Sequence, residues 1–373
     1  MMCVKKIIIA PDSFKGALTS MQVTDIIAAE FNTAFPDSNI IKMPIADGGE
    51  GSVDTIIAAI GGEKYTAEVR SADNRQIIAE YAIANNGSAI LEMAQSSGIT
   101  RQVGLHPMTS TTFGFGQLIL AALERGARNF TLCIGGSATT DGGCGMASAL
   151  GVKFLDEKGN VFIPCGETLN KIVQFDTSNI DKRISECNFT VMCDVDNPLF
   201  GERGAAYIYG PQKGATPEQV LELDKGLRHY GEILSGHFGS TFCNIPGAGA
   251  AGGLGAGCMA FLKASLISGI DAILELCNFS EHVKDTDLVI TGEGKLDEQS
   301  LQGKVLSGLM KKANGVPIWS ICGVSDLDKT LLSESGMKFF EASEGVSVEE
   351  SMSSPEKYLK IAVNKAIMAM DAK

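Results

Sequence analysis

Four short stretches of this 373-residue chain combine bare backbone with carboxylates: "PDSFKG" at 11–16, "ADGGEG" at 46–51, "GGSATTDGGCG" at 135–145 and "TGEGKLDEQSLQGK" at 291–304. Each follows an apolar run of strand length. Glycines at a strand-to-helix junction let backbone N–H groups approach an oxyanion, and a helix N-terminus adds partial positive charge. Tight turns need glycines whatever they bind, so the glycines alone decide little. An acid beside them in all four stretches decides more, because carboxylates near anion-binding backbone point to a divalent cation shared with the ligand. Phosphoryl transfer is the chemistry that needs both. The loop lysines are few: Lys15, Lys213 in "YGPQKGA", Lys295 and Lys304. Each could hold a phosphate or carboxylate as a point charge.

Other signatures fit less well. Gly303-Lys304 is followed by Val305, so there is no G-x-x-x-x-G-K-[ST] phosphate loop. G-x-G-x-x-G occurs at Gly247, Gly249 and Gly252, but only a weak strand precedes it. The small residues of "GAGAAGGLGAG" around it suit close packing against another element or a second phosphate cradle. The histidines, His106, His229, His237 and His282, all lie outside the Gly-acid loops, which leaves a Ser-His-Asp hydrolase without a base. Chemistry here runs on Asp, Glu and Lys.

The elements that carry these loops alternate near both chain ends. "VKKIIIA" (4–10) precedes a helix with Val23, Ile26, Ile27 and Phe31 on one stripe. "NIIKMP" (39–44) precedes the helix "SVDTIIAAI". Late in the chain come "DLVITGEG" (287–294), the helix "KVLSGLMKKA", "VPIWSICG" (316–323), "MKFFEAS" and a last helix at about 353–371. Repeated β-loop-α units predict a parallel sheet covered by helices on both faces. After Gly61-Gly62 the pattern changes to three β-rich runs divided by "SADN" and "NNG", an antiparallel meander. A strand-loop-helix at 129–151, the strand of "NFTVMCDVDNP" (188–198) and a helix at about 217–235 follow. The expected fold class is α/β: residues 1–61 and 286–373 form one domain with a parallel sheet built from both chain ends, and 62–285 form a mixed α/β domain inserted in it.

Composition narrows the function classes. A hydrophobic content of 45 % and charged content of 20 % describe a chain that buries a sizeable core, and its length suits two domains. The net charge of −13 leaves no basic surplus for nucleic acid or anionic lipid. No stretch approaches the ~18 apolar residues of a membrane span. The N-terminal apolar run is cut short by Pro11 and Asp12 and reads as a first strand rather than a signal peptide. Ten cysteines without a C-x-x-C pair predict reduced thiols and a cytoplasmic location.

In their order along nearly the whole chain, "APDSFKGALT", "PIADGGEGS", "GGSATTDGGCGMASALG", "CDVDNPLFGERGAAYIYGPQKGA", "PGAGAAGGLGAG" and "DLVITGEGKLDEQSLQGK" resemble the bacterial type-I glycerate kinases. The resemblance implies ATP-dependent phosphorylation of D-glycerate with Mg²⁺, giving 2-phosphoglycerate. It also implies a flavodoxin-like domain made from both chain ends, an inserted second α/β domain and a site between them.

Roles for single residues follow from the chemistry. Transfer to an alcohol needs the hydroxyl and γ-phosphorus in line, a base for the proton, and cations for the equatorial oxygens. Asp194, at the end of the run "FTVMC" with Pro198 stiffening the backbone after it, is the expected base; Lys15 and Asp47 complete the catalytic set. Asp47 and Asp297 are the expected metal ligands. The binding set is Ser13, Gly48, Gly49, Glu50, Ser137, Thr139, Asp141, Gly142, Gly143, Lys213, Gly252, Gly253, Glu293 and Lys304. Two other functions fit part of the pattern. A nicotinamide-dependent hydroxy-acid oxidoreductase would use 247–252. A non-catalytic binder of small organic acids would use the anion loops but leave their carboxylates unexplained. The expected partners are D-glycerate and ATP, with neither nucleic acid nor membrane; assembly into a homo-oligomer is left open.

Overall fold

A computed structural model of the chain describes residues 4–46, 48–297, 304–326 and 337–371. The chain divides into two compact units, one of residues 1–46, 54–60 and 270–373 and the other of 47–53 and 61–269. In chain order the strands are β1 (Lys6–Ile9), β2 (Asn39–Lys42), β3 (Gly62–Arg70), β4 (Gln76–Ala84), β5 (Ala89–Glu92), β6 (Asn129–Cys133), β7 (Lys153–Leu155), β8 (Val161–Phe162), β9 (Gln174–Asp176), β10 (Asn188–Met192), β11 (Ser265–Ile267), β12 (Leu288–Leu296), β13 (Ile318–Ser325) and β14 (Lys338–Glu341).

The first unit holds a five-stranded sheet in the order β14-β13-β12-β1-β2, parallel throughout. Renumbered within the unit this is 2-1-3-4-5, the flavodoxin-like order, and both chain ends build it as expected. In its central strands the successive residues Ile7, Ile8 and Ile9 of β1 and Val289 and Ile290 of β12 are fully buried, as expected where both faces of a parallel sheet are covered. Ile7 and Ile9 pack with Val23, Ile27 and Phe31 of the helix Ser20–Ala34 and with Leu359 and Val363 of Pro355–Asp371. Ile26, expected on the same stripe, is only partly buried. Thr19 starts the first of these helices with a capping box: its hydroxyl accepts from the Gln22 amide, and the Gln22 side chain accepts from the Thr19 amide.

One expectation changes here. The run "DLVITGEG" is expected to give way to a Gly-acid loop between 291 and 294, yet β12 runs on to Leu296 and pairs with β13 from Val289↔Ile318 to Leu296↔Ser325. Glycine lowers strand propensity, but close backbone approach across this sheet requires it. A Cβ on Gly292 would lie 2.2 Å from the Ile321 carbonyl oxygen, and one on Gly323 would lie 2.3 Å from that of Gly294.

The second unit is built on a six-stranded mixed sheet, β11-β10-β6-β5-β4-β3. β3, β4 and β5 form the antiparallel meander, with Asn74 and Gly87 in the left-handed conformation at its two turns. β5, β6, β10 and β11 run parallel. Helix Phe113–Glu124 contributes Phe115, Leu118 and Ile119 to the core of this sheet, and helix Ala250–Leu262 contributes Leu254 and Cys258. A second core places Leu223, Leu227 and Tyr230 of helix Pro217–Phe238 against Phe154 and Phe175 of the small sheet β8-β7-β9.

Candidate active site

In the second unit the parallel strands end in register, with Glu92, Cys133, Met192 and Ile267 paired across neighbouring strands. Ligands of α/β sheets bind beyond such carboxyl ends. The loop that leaves β6 there is the Gly-rich one. The Gly135 amide donates to the Gly48 carbonyl at 2.9 Å, and a Cβ on Gly135 would lie 2.8 Å from the Gly49 Cα. Gly48, with φ +79°, sits against Met192 at the end of β10. Glu50 accepts from the Thr100 hydroxyl at 3.4 Å. Two of the four stretches, 46–51 and 135–145, thus meet at one sheet edge.

Asp141 lies under this loop and is fully buried. Its carboxylate accepts from the Thr112 amide at 2.7 Å, the Thr112 hydroxyl at 2.8 Å, the Thr111 hydroxyl at 3.4 Å, and the Gly143 and Gly145 amides at 3.1 and 3.2 Å. Burial pushes its carboxyl above the usual carboxylate range, against the pull of those donors. Gly142 and Gly143 are both left-handed, which lets the chain turn around the carboxylate. Lys213 is 2 % exposed, and its ammonium donates to the Thr139 carbonyl at 2.6 Å and to Ser137 Oγ at 3.4 Å. Desolvation pushes it down to about 7 while Asp141 pulls it up.

The other binding residues of this region are packed on the same loop. Ser137 Oγ accepts from the Thr139 amide at 3.1 Å and lies 3.0 Å from the Thr139 hydroxyl. Ala251, Gly252 and Gly253 are three successive left-handed residues, and the Gly142 amide donates to the Gly252 carbonyl at 3.1 Å. A Cβ on Gly252 would stand 1.9 Å from the Thr139 carbonyl oxygen. The glycines of "GAGAAGGLGAG" therefore serve close packing here. The amides of Gly136 and Ser137 have no acceptor among the described residues. Gly136 is exposed while Ser137 is buried, so of these two successive N–H groups that of Gly136 is the one open to an anion.

Asp194 stands just past β10, half-buried, and its Oδ1 accepts from the Gly269 amide at 3.2 Å. In the first unit, the chain leaving β1 crosses β12 at the switch point of the 2-1-3-4-5 order, where such sheets bind ligands. Phe14 is buried, a Cβ on Gly294 would lie 3.1 Å from the Phe14 Cα, and Lys15 is exposed. The Ser13 amide is turned onto Asp12 at 2.6 Å. Glu293 pairs with Cys322 within the sheet, Lys295 forms an exposed ion pair with Asp326 at 2.7 Å, and Asp297 follows the last residue of β12. Asp47 lies outside the described residues, as does the Lys304 side chain. Among the described residues no group of three His, Cys, Asp or Glu is disposed to hold a metal by itself.

Sequence reasoning missed Glu92, Thr111 and Thr112. Glu92 ends β5, is buried, and accepts from the Val53 amide at 2.6 Å at the start of helix Ser52–Ile60. An acid closing the apolar run "AILE" was the available signal. Thr111 and Thr112 carry none, since their partner Asp141 is about thirty residues away.

The model of the "Glycerate kinase family" matches residues 7–371. This chain belongs to the glycerate kinase family. It is 45 % identical over 322 residues to a glycerate kinase of Halalkalibacterium halodurans, covering 85 % of each chain. It is 44 % identical over 323 residues to the glycerate 2-kinase of Escherichia coli, again covering 85 % of each. A crystal structure from Salmonella typhimurium, assigned to glycerate kinase 2, superposes with a TM-score of 0.88 at 35 % identity over 99 % of both chains. The expected α/β fold class and the glycerate kinase resemblance both hold. The dinucleotide reading of 247–252 does not, because no strand precedes those glycines and Cβ positions on Gly249 and Gly252 are filled by protein backbone. No helix among the described residues is long and apolar enough to cross a membrane.

Proposed function

We propose that this enzyme transfers the γ-phosphoryl group of ATP to the 2-hydroxyl of D-glycerate, giving 2-phosphoglycerate and ADP. The observation that carries this reading is the loop 135–143, a glycine turn with two successive amides left without an acceptor among the described residues at the carboxyl edge of a sheet, in a chain of the glycerate kinase family. Asp194 takes the proton of the substrate hydroxyl, whose oxygen then bonds to the γ-phosphorus as the bond to the β,γ-bridging oxygen breaks. The Gly136 amide, Ser13, Lys15 and Lys304 hold anionic oxygens, either nucleotide phosphate or glycerate carboxylate. Asp141 sets the loop's shape from beneath.

A Mg²⁺ ion arriving with ATP would neutralise charge on the phosphoryl oxygens, with Asp47 and Asp297 as its carboxylates. One or two carboxylates fit an ion whose other ligands are phosphate and water, and no cluster of three is then required. The described cysteines are thiols, in keeping with a cytoplasmic enzyme.

A coupled assay for ADP release across glycerate, glycolate, lactate and tartronate tests the reading. ADP is expected with glycerate and not in excess EDTA, and phosphorus NMR of the product should show the ester at the 2-position. Absence of ADP with glycerate, or enhanced NADH fluorescence on binding, would overturn it.

A further inference from the structure

Lys213 is the one buried lysine among the described residues. Enclosing an ammonium costs several kcal/mol unless the protein returns its hydrogen bonds, so a lysine in such a place needs a reason. Its two acceptors, the Thr139 carbonyl and the Ser137 hydroxyl, both belong to the glycine loop. The opposite charge acting on it is Asp141, itself bound by Thr111, Thr112, Gly143 and Gly145. The other titratable groups that feel Asp141 are Cys144, Cys165 and Tyr230, each pushed up by burial and so uncharged. Ser137 Oγ in turn accepts from the Thr139 amide, so the segment that presents the Gly136 amide is closed on itself and pinned to Lys213.

We infer that Lys213 is a positioning residue: it fixes the Thr139 carbonyl and Ser137 hydroxyl, thereby aims the Gly136 amide, and does not itself touch the substrate. Its role in catalysis rests on the kinase reading above; its role in the loop does not. A lysine enclosed to 2 % exposure, with two of its three ammonium donors directed to the loop, acts as a strut, where an exposed lysine would act as a clamp.

Lys213→Met and Lys213→Arg in the full chain separate these roles. Hydrogen exchange reads the loop directly. In the Met variant the peptides covering 135–143 are expected to exchange about tenfold faster or more, with those of β6 and β10 unchanged. In kinetics, kcat is expected to fall about tenfold or more while KM for ATP and for glycerate stays within about threefold, and Arg, too large for the enclosed site, does not restore it. Unchanged exchange in 135–143 overturns the proposal. So does a rise of about tenfold in one KM at the parent's kcat that Arg reverses, the mark of a direct clamp. If the Met variant does not fold, Lys213→Gln, which keeps a donor on a shorter stem, is judged by the same two readouts. A parent enzyme that releases no ADP would refute the kinase reading alone, and the exchange result would stand.

Discussion

Asp194 directly follows an apolar run and Asp141 lies inside a glycine-dense loop, and their surroundings differ as well. Asp141 is fully buried and takes five hydrogen bonds from protein donors. Asp194 is half-buried, with its Oδ1 on the Gly269 amide. Asn at 194 keeps an Oδ1 for that amide and removes the proton acceptor. Asp194→Asn is therefore expected to melt within a few degrees of the parent while kcat falls by roughly 10²- to 10⁴-fold. Melting temperature and kcat on the same preparation decide it: a variant that melts early but turns over at the parent's rate would move the base role to another carboxylate.

At the scale of elements, the left-handed turn 251–253 and the loop 135–143 are shaped against each other. Three small residues in a row allow the turn, and Gly252 also makes room for the Thr139 carbonyl. Gly252→Ala adds a Cβ onto backbone at a position with φ +70°, so neither a rotamer change nor a local shift relieves it. Overpacking and left-handed strain together predict a loss of about 2–5 kcal/mol, measured by urea denaturation. A loss under about 0.5 kcal/mol would mean that the two segments can separate at little cost. The small-residue spacing of "GAGAAGGLGAG" left close packing and a phosphate cradle both open, with Gly252 and Gly253 in the expected binding set. Its partner was not legible, because Gly252 and Thr139 meet only through the fold.

For the molecule as a whole, we propose that the inserted part folds independently. Residues 62–285 contain the sheet β11-β10-β6-β5-β4-β3 with its core, and the small sheet β8-β7-β9 with the second core. A fragment of these residues is expected to keep its strand content by far-UV circular dichroism. It lacks 48–53, so buried Glu92 loses the Val53 amide and Gly135 the Gly48 carbonyl. The first loss alone should cost about 1–3 kcal/mol, seen as a lower melting temperature than in the full chain. Melting coincident with the full chain would show that those contacts add nothing. The sequence by itself determined the elements: apolar periodicity set strand and helix, "SADN" and "NNG" set the meander turns, and the alternation at both ends set a parallel sheet. It also determined the chemical class, since glycine and carboxylate recur together in four stretches. Only the tertiary structure decided that β12 continues through its glycines, since a neighbouring backbone outweighs local propensity. It alone also decided which polar groups of the loop are consumed internally. Burial and hydrogen-bond geometry depend on residues far apart in the chain, and no local pattern encodes that Thr112 and Lys213 close around one turn.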